Sequence, residues 1–334
     1  MKEKMTRINV TKPTLPDLDK YTKYLKEIWK SGWLTNNGSF HRQLEQELKT
    51  RLVLDEISLC SNGTLALLLA IKALGLKGEI ITTPFSFVAT THAIQWANCT
   101  PVFADIDENT MNLDPDKVEE LINDNTVAIM PVHVYGTPCD KERFKAISEK
   151  YDLKIIYDAA HAFNVELYDQ SILNWGDLSV LSFHATKVFN TFEGGAIVCH
   201  DESMKRKIED LKNFGFRSET EVVDLGINAK MNEAQAAMGL CQLEHIEENI
   251  KKRKEIADFY NTELGNIEGI NTIELVEGLK GNYSYYPILV NEQYSISRDE
   301  LYELFTEYNI FPRRYFYPLI SSFTMYNHLP SATV

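Results

Sequence analysis

The sequence contains no long apolar run, and no segment approaches the ~20 residues that a membrane-spanning helix needs. Residues 1–10 are polar and charged, unlike the apolar core of a secretory signal peptide. An excess of positive charge is also missing, because 34 Lys and Arg stand against 48 Asp and Glu, a net charge of −14. Nucleic acids and anionic membranes attract proteins through such an excess, so we expect neither as a partner.

Cysteine is scarce and poorly spaced for metal binding. The five cysteines lie far apart, and the sequence has neither a Cys-x-x-Cys pair nor a His-x-x-x-His pair. Such pairs are typical of zinc sites, so we expect no metal centre. An odd number of dispersed cysteines favours a reducing compartment, and the predicted location is the cytoplasm.

The sequence has the composition of a globular protein, with 44% hydrophobic and 25% charged residues among 334. Short apolar runs alternate with amphipathic, helix-like stretches in its first two thirds. Seven runs predict strands, at residues 57–60, 79–83, 101–107, 127–135, 154–158, 178–183 and 196–200. Near-continuous β-branched runs separated by helices indicate a parallel sheet covered on both faces, so we predict a doubly wound α/β domain.

The remainder of the chain predicts a smaller α+β domain. It contains a long helical pattern, two apolar runs and a second helix, at residues 232–260, 270–275, 283–290 and 297–308. We assign residues 1–240 to an N-terminal arm with the large domain, and residues 241–334 to the small domain. The first forty residues are predicted to form an arm and a loop.

Ligands of open α/β sheets bind beyond the carboxyl ends of the strands, so polar residues there are candidates for function. Residues 61–64, Ser-Asn-Gly-Thr, end one strand and open an apolar helix. Small residues there can bind a phosphate through backbone amides and the Thr64 hydroxyl, although the same residues make common N-caps. Asp158 ends a buried strand, and a carboxylate there needs a cation or hydrogen-bond donors as partners. Alternatively, Asp158 caps a helix that follows it.

Three further residues lie close to strand ends. Lys187 follows the predicted strand 178–183, and burial there would lower its pKa and make it a Schiff-base lysine. Alternatively, its amine extends to solvent at the rim. His161 could share the site of Asp158 or be structural, and Phe87 could stack on a planar ring or pack in a core.

Together these candidates match one cofactor. An anion cradle, a stacking aromatic, a strand-end carboxylate and a strand-end lysine are the parts that hold pyridoxal phosphate. A nicotinamide dehydrogenase is another possible reading of the fold class, but the Gly-x-Gly-x-x-Gly fingerprint is absent from the sequence.

The sequence also resembles a known family along nearly its whole length. Seven motifs carry the resemblance: WLTNNG at 33–38, SNGT at 61–64, TPFSFVAT at 83–90, DAAHA at 158–162, SFHATK at 182–187, EGG at 193–195 and GINAKMNE at 226–233. In order and spacing they are similar to those of the DegT/DnrJ/StrS nucleotide-sugar aminotransferases. The resemblance implies a fold of the aspartate aminotransferase type, with a mostly parallel seven-stranded sheet, and pyridoxal 5′-phosphate as cofactor.

The resemblance also implies roles for residues. Lys187 would bond to the cofactor, Asp158 would pair with its ring nitrogen, and His161 would lie near its ring hydroxyl. Phe87 would stack on the ring. The phosphate would be held by Gly63, Thr64 and Ser182. Asn228 would reach the phosphate of the neighbouring subunit, which implies a homodimer with shared active sites.

The implied reaction moves an amino group from L-glutamate to a nucleotide-linked 4-keto-6-deoxyhexose. Segments 15–41 and 313–318 look most like the branch of the family that uses dTDP-4-keto-6-deoxy-D-glucose, in the synthesis of bacterial surface polysaccharide such as the O-antigen of lipopolysaccharide. Substrate contacts are expected from Trp33, Thr35, Asn36, Lys230, Arg313, Arg314 and Tyr315.

Two departures from the family pattern affect these expectations. Relatives commonly have Arg where this chain has Lys230, so bidentate contacts would be reduced to those of a point charge. Relatives also continue past the segment 313–318, so either the small domain is shortened or the sequence is a fragment of a longer protein.

Other readings of the resemblance stay open. The acceptor could be a 3-keto sugar, or the protein could bind the cofactor as a regulator without turnover. Related sugar dehydratases carry His in place of Lys187, so the lysine favours amino transfer.

Overall fold

The structure, a computed structural model, describes residues 6–273 and 276–333. Its α-helices are α1 Leu18–Ser31, α2 Ser39–Arg51, α3 Gly63–Ala73, α4 Ala89–Trp96, α5 Pro115–Leu121, α6 Lys141–Tyr151, α7 Glu202–Lys212, α8 Glu233–Leu243, α9 Ile246–Leu264 and α10 Arg298–Glu307. Its strands are β1 Ile8–Asn9, β2 Glu56–Cys60, β3 Glu79–Thr82, β4 Thr100–Phe103, β5 Thr126–Met130, β6 Lys154–Asp158, β7 Glu166–Leu167, β8 Gln170–Ser171, β9 Leu178–Ser182, β10 Gly195–Cys199, β11 Ile270–Thr272, β12 Leu279–Lys280, β13 Ile288–Val290 and β14 Ile310–Phe311.

A central sheet of seven strands has the order β2-β10-β9-β6-β5-β3-β4. Strand β10 is antiparallel to both of its neighbours, and the other pairs are parallel. The predicted α/β fold with a mostly parallel seven-stranded sheet is therefore confirmed. All seven predicted strands of this region exist, with ends shifted by a few residues where apolar residues continue into a loop.

The two faces of the sheet bury separate hydrophobic clusters. Successive residues of a strand belong to different clusters. Ile155 belongs to the cluster that includes residues of α2, α5, α6 and α8. Ile156 belongs to the cluster that includes residues of α3, α4 and α7. This alternation follows from the two-residue period of a strand. It explains why strands that are covered on both faces read as continuous apolar runs in the sequence.

The predicted helix over residues 232–260 is wrong in one respect, because the chain forms two helices there. Helix α8 begins with a capping box between Asn232 and Gln235, and it ends at Leu243. His245 has non-helical backbone angles and precedes α9. The apolar spacing continues across this break, so periodicity alone did not reveal it.

The prediction of an arm and loop over the first forty residues is wrong for residues 18–31, which form helix α1, whereas residues 32–38 do form a loop. Helix α1 begins after Asp17, whose carboxylate accepts a hydrogen bond from the Lys20 amide, and it ends at Gly32 in the left-handed conformation. Both residues are typical helix-end signals, so the helix was recognisable from the sequence.

The C-terminal part forms small sheets that join the rest of the chain. Strand β12 pairs with β7, and β1 pairs with β14. The predicted strand over residues 283–290 is limited to β13, while the predicted end of the strand at 270–275 lies partly outside the described residues. The predicted boundary after residue 240 falls within α8. The two-domain division stays a prediction.

The described residues contain neither a membrane-spanning helix nor a cluster of metal-binding side chains. None of the helices there combines the length and apolar character that crossing a membrane requires. Nor do those residues contain a group of three or more His, Cys, Asp or Glu side chains that could hold a metal ion.

Candidate active site

Four strand ends meet at one edge of the central sheet. Gly195, the first residue of β10, is in register with Cys60 at the end of β2 and with Ser182 at the end of β9. Asp158, the last residue of β6, is paired with Val180 of β9. The sheet therefore brings the residues predicted from strand ends to the same edge of the molecule.

The start of α3 forms an open cradle next to Ser182. Asn62 caps the helix, since its side-chain oxygen accepts a hydrogen bond of 2.8 Å from the Leu65 amide. The amides of Gly63 and Thr64, at the first turn, have no partner within the helix. A Cβ atom on Gly63 would lie 2.9 Å from the Ser182 Cβ, so glycine keeps the space between the helix and β9 open. The cap and the cradle thus use different atoms of one motif.

Asp158 is a buried carboxylate held by two donors. Its side chain is 4% exposed. One oxygen accepts a hydrogen bond of 2.8 Å from the Thr90 hydroxyl, and the other accepts one of 3.1 Å from the Ala160 amide. Burial raises the pKa of this carboxyl above its ordinary value. No α-helix begins after Asp158 in this described region, so the helix-cap alternative is wrong.

Lys187 is partly buried, and its amine is directed into the same site. Its Nζ donates a hydrogen bond of 3.2 Å to the hydroxyl of Tyr285. Burial lowers the pKa of Lys187 to about 8; the charge of Asp158 acts in the opposite direction, and the charge of Arg313 adds to the lowering. An amine with such a pKa is neutral in roughly a tenth of the molecules at pH 7, far more often than an ordinary lysine, and that neutral form can act as a nucleophile.

His161 is a neutral hydrogen-bond donor beside these groups. Its side chain is buried, and burial lowers its pKa well below the ordinary value. Its Nδ1 accepts a hydrogen bond of 3.1 Å from the Tyr135 amide. A neutral imidazole that accepts at Nδ1 carries its proton on Nε2, so an N–H remains for a ligand.

Aromatic residues that the sequence reading did not assign to the site surround Lys187 and His161. The ring of Tyr285 lies 4.6 Å from that of His161, and the ring of Phe316 is nearly parallel to His161 at 6.2 Å. Phe85 packs edge-on against Phe316 at 5.4 Å. Thr90, Phe85 and Phe316 were part of recognised motifs or segments, whereas Tyr285 lay in a run read as a plain strand.

Three predicted residues occupy less enclosed positions. Phe87 is 61% exposed, and its carbonyl accepts a hydrogen bond of 3.2 Å from the backbone amide of Thr90, whose hydroxyl donates to Asp158. Asn228 is exposed, and the adjacent Ala229 carbonyl accepts a hydrogen bond of 2.8 Å from Ser61. The amine of Lys230 donates to the Asn213 side chain at 2.8 Å.

Of the other predicted substrate contacts, Arg313 and Tyr315 are connected to the site by hydrogen bonds, whereas within the described ranges Arg314 and the loop of Trp33, Thr35 and Asn36 are not. Arg313 donates to the Tyr315 hydroxyl at 2.5 Å, and the Tyr315 carbonyl accepts a hydrogen bond from Tyr135, which joins this pair to the site. Arg314 pairs instead with Asp299 at 3.2 Å. The exposed loop of Trp33, Thr35 and Asn36 is held by a hydrogen bond from the Glu233 amide to Leu34, and no hydrogen bond among the described residues links it to Lys187 or Asp158.

Comparison with known proteins gives a consistent assignment. Residues 17–334 match the DegT/DnrJ/EryC1/StrS aminotransferase family. A dTDP-4-amino-4,6-dideoxy-D-glucose transaminase from Shigella dysenteriae is 52% identical over 320 residues, covering 96% of this chain and 87% of the relative. One of the same name from Escherichia coli is 48% identical over 328 residues, covering 98% and 88%. Among solved structures, DesI in the presence of its TDP-sugar product has a TM-score of 0.93 at 33% identity, covering 98% of this chain and 83% of that one.

The family and its structural relatives imply pyridoxal 5′-phosphate as the cofactor, and the chemistry of the site fits this molecule. A buried carboxylate suits a pyridinium nitrogen, a lysine of lowered pKa suits an aldehyde, and a cradle kept open by Gly63 suits a phosphate. The chain belongs to the DegT/DnrJ/EryC1/StrS family and is a pyridoxal phosphate-dependent aminotransferase.

Proposed function

We propose that this enzyme transfers the amino group of L-glutamate to dTDP-4-keto-6-deoxy-D-glucose, giving dTDP-4-amino-4,6-dideoxy-D-glucose and 2-oxoglutarate. The observation that carries the proposal is the buried Asp158 beside the Lys187 amine, in a chain 52% identical to a transaminase named for that amino sugar. A nucleotide-activated amino sugar is a glycosyl donor. We therefore place the reaction in the cytoplasm, in the supply of sugars for bacterial surface polysaccharide such as the O-antigen.

Lys187 and Asp158 are the proposed catalytic residues. When bound, pyridoxal phosphate supplies an aldehyde that exchanges amino groups and a ring that delocalises the electrons of a breaking C–H bond. Lys187 would hold the aldehyde carbon through Nζ. As a free amine, Nζ would take a proton from the α-carbon of the amino donor, because burial has lowered its pKa to about 8. Asp158 holds a proton on the ring nitrogen, and Thr90 and the Ala160 amide orient its two oxygens.

The other cofactor contacts in the proposal follow from donor chemistry. The Nε2–H of His161 would donate to the ring hydroxyl, since Nδ1 already accepts a hydrogen bond from the Tyr135 amide. Ser182 and the amides of Gly63 and Thr64 bind the phosphate at the positive end of α3. Phe87, whose side chain is exposed, has a free face on which the ring stacks.

The proposed substrate contacts are carried by cations and by polar loop residues. Arg313 and Tyr315, which are joined to the site through Tyr135 and Tyr285, are suited to a carboxylate or a pyrophosphate. For the nucleotide and the sugar we propose Lys230, Arg314, Trp33, Thr35 and Asn36.

We propose that two chains form a dimer and that Asn228 completes the phosphate site of the neighbouring subunit. Two observations support this. Asn228 is exposed. The loop before it carries apolar side chains open to solvent, among which Leu225 is 88% exposed and Val222 is 58% exposed. Exposed apolar groups of this kind mark association surfaces.

The test is an assay with L-glutamate and several nucleotide keto-sugars, with the amino position of the product identified by NMR. The expected product carries nitrogen at carbon 4 of the dTDP-linked sugar. Lys187→Ala is the matched inactive control. Nitrogen at carbon 3 would instead indicate a 3-keto sugar aminotransferase, and turnover with none of the sugars would contradict the proposed substrate class.

A further inference from the structure

The segment around Tyr285 is attached directly to the loop that follows Asp158. Asn282, 1% exposed, donates hydrogen bonds of 2.8 Å to the carbonyls of His161 and Phe163. Its side-chain oxygen accepts a hydrogen bond of 2.9 Å from the Ser284 amide. The amide group of Asn282 therefore uses both its donor and its acceptor to fix this segment against the active site. This explains why residues 283–287 leave the strand conformation that their sequence predicts.

The attachment places the Tyr285 hydroxyl at the Lys187 amine. The two polar atoms are 3.2 Å apart, and in the described part of the chain this is the one hydrogen bond that the amine makes. The Tyr285 ring is confined by Tyr135 at 5.8 Å, by Tyr315 at 5.7 Å and by His161 at 4.6 Å. Burial raises the pKa of the phenol, so it stays protonated and neutral. A neutral phenol oxygen accepts a hydrogen bond from the amine without competing with Asp158 for charge.

We propose that Tyr285 is a positioning residue that holds the Lys187 amine in place whenever that amine is not bonded to the cofactor. The inference rests on the proposed function, in which the amine is released and returns in each half-reaction. A lysine side chain has four flexible bonds, and fixing them costs conformational entropy. The Tyr285 hydroxyl is a hydrogen-bond acceptor held in place by Asn282 and by three aromatic rings. It therefore limits the conformations that the free Lys187 side chain samples.

The first experiment measures the amine directly and requires no turnover. Full-length protein freed of cofactor is labelled with fluorodinitrobenzene over a range of pH, and labelling of the peptide that contains Lys187 is quantified by mass spectrometry. Half-maximal labelling of the wild type is expected near pH 8. In Tyr285→Phe the midpoint is expected to fall by about one pH unit, because the charged amine loses a hydrogen bond while the ring packing remains.

Tyr286→Phe is the matched control. Tyr286 is the next residue, and its hydroxyl donates to the Asn261 side chain at 2.7 Å, away from Lys187. Its removal is expected to leave the labelling midpoint unchanged. Asn282→Asp provides a second variant, because a carboxylate cannot donate to the two carbonyls and the Tyr285 hydroxyl, although present, is no longer held. A midpoint that stays at the wild-type value in both Tyr285→Phe and Asn282→Asp would overturn the proposal.

A second experiment uses the cofactor-loaded enzyme. Tyr285→Phe is expected to lower kcat by about tenfold and to leave KM for the nucleotide sugar within about twofold of the wild type, since positioning of the amine acts on the proton transfer. A change confined to KM would assign Tyr285 to substrate binding instead. The labelling result does not depend on the identity of the sugar, so a wrong acceptor in the proposed function would leave this test intact.

Discussion

Asp158 is buried and Lys187 is partly buried, and in both cases removal from water disfavours the charged form of the side chain. Burial raises the pKa of the carboxyl and lowers that of the amine, so it favours the neutral form of each. Each charge partly offsets the burial cost of the other, and the Asp158 oxygens are further held by Thr90 and Ala160. The result is a carboxylate that can meet a cationic ring and an amine that can exchange protons near neutral pH.

At the residue scale we predict that Asp158→Asn binds the cofactor but transaminates at least about a hundredfold more slowly, because an amide cannot stabilise a proton on the ring nitrogen as a carboxylate does. The measurement is the rate at which glutamate changes the cofactor absorbance in a single turnover. Thr90→Val is the comparison, since it removes one hydrogen bond to Asp158 and keeps the charge. The Thr90→Val enzyme is expected to be slowed less than the Asp158→Asn enzyme. Near-normal turnover of Asp158→Asn would remove the proposed role of this residue.

Among the elements, the first turn of α8 connects three parts of the site. The Glu233 carboxylate accepts hydrogen bonds from the amides of Phe40 and His41 at the start of α2. The Gln235 side chain donates to the carbonyls of Ser61 and Glu193, which flank the cradle. Residue 38 must be glycine, because a Cβ atom there would overlap the Glu233 carboxyl group. One helix start therefore fixes the loop before α2 and the cradle together.

Helix α7 gives an element-scale prediction about stability. Lys212, 3% exposed, donates to the Ser58 hydroxyl and the Leu59 carbonyl at 3.0 Å each and pairs with Glu209 at 2.5 Å. Lys212→Met leaves the Glu209 carboxylate without its cation and removes the two Lys212 hydrogen bonds to β2, although the Ser58 hydroxyl still donates to Glu209. The free energy of unfolding at pH 7, measured by urea denaturation, is expected to fall by about 3 kcal/mol.

The pH dependence of this loss follows from Glu209. Burial alone would raise the pKa of Glu209, but the charge and hydrogen bond of Lys212 and the Ser58 hydroxyl together hold it below the ordinary 4.5. The native pair therefore contributes stability above pH 4.5, and that contribution disappears as the pH falls through the native pKa. The difference between wild type and Lys212→Met should shrink accordingly. Lys207→Met, an exposed position on the same helix, should unfold like the wild type at every pH.

At the scale of the whole molecule, the site is assembled from distant parts of the chain. The sheet supplies Asp158 and Lys187, while the C-terminal part supplies Tyr285 and the segment with Arg313 and Phe316. The Asn282 hydrogen bonds to the loop after Asp158 join the two parts. Stability of the C-terminal part and geometry of the site are therefore coupled.

The proposed dimer leads to a complementation prediction. Lys187→Ala and Asn228→Asp should each be nearly inactive alone. If Asn228 serves the neighbouring subunit, a mixed dimer has one site with both native residues, so unfolding and refolding the two variants together should restore roughly a quarter of the wild-type activity. Sedimentation of the mixture should show a dimer. Absence of any recovery in a mixture that does form dimers would place Asn228 in the site of its own chain and contradict the sharing.

The sequence by itself determined the sheet and the ends of its strands. Strand β6 covers the predicted residues 154–158, and Lys187, Asp158 and the residues of the cradle all came from the rule that ligands bind at the carboxyl ends of strands. These features depend on local periodicity and on short motifs. The cap at Asp17 and the glycine at the end of α1 carried the same kind of local signal, and the helix between them could have been predicted.

Only the tertiary structure decided which side chains surround the amine. Tyr285 lies 98 residues from Lys187 in sequence, and nothing near it distinguishes it from Tyr286, which points to Asn261 instead. The irregular segment after Asn282 has the same origin, because Asn282 holds it through hydrogen bonds to the distant loop that follows Asp158. Local sequence encodes backbone conformation and the alternation of faces, whereas contacts between remote residues exist only once the whole chain has packed.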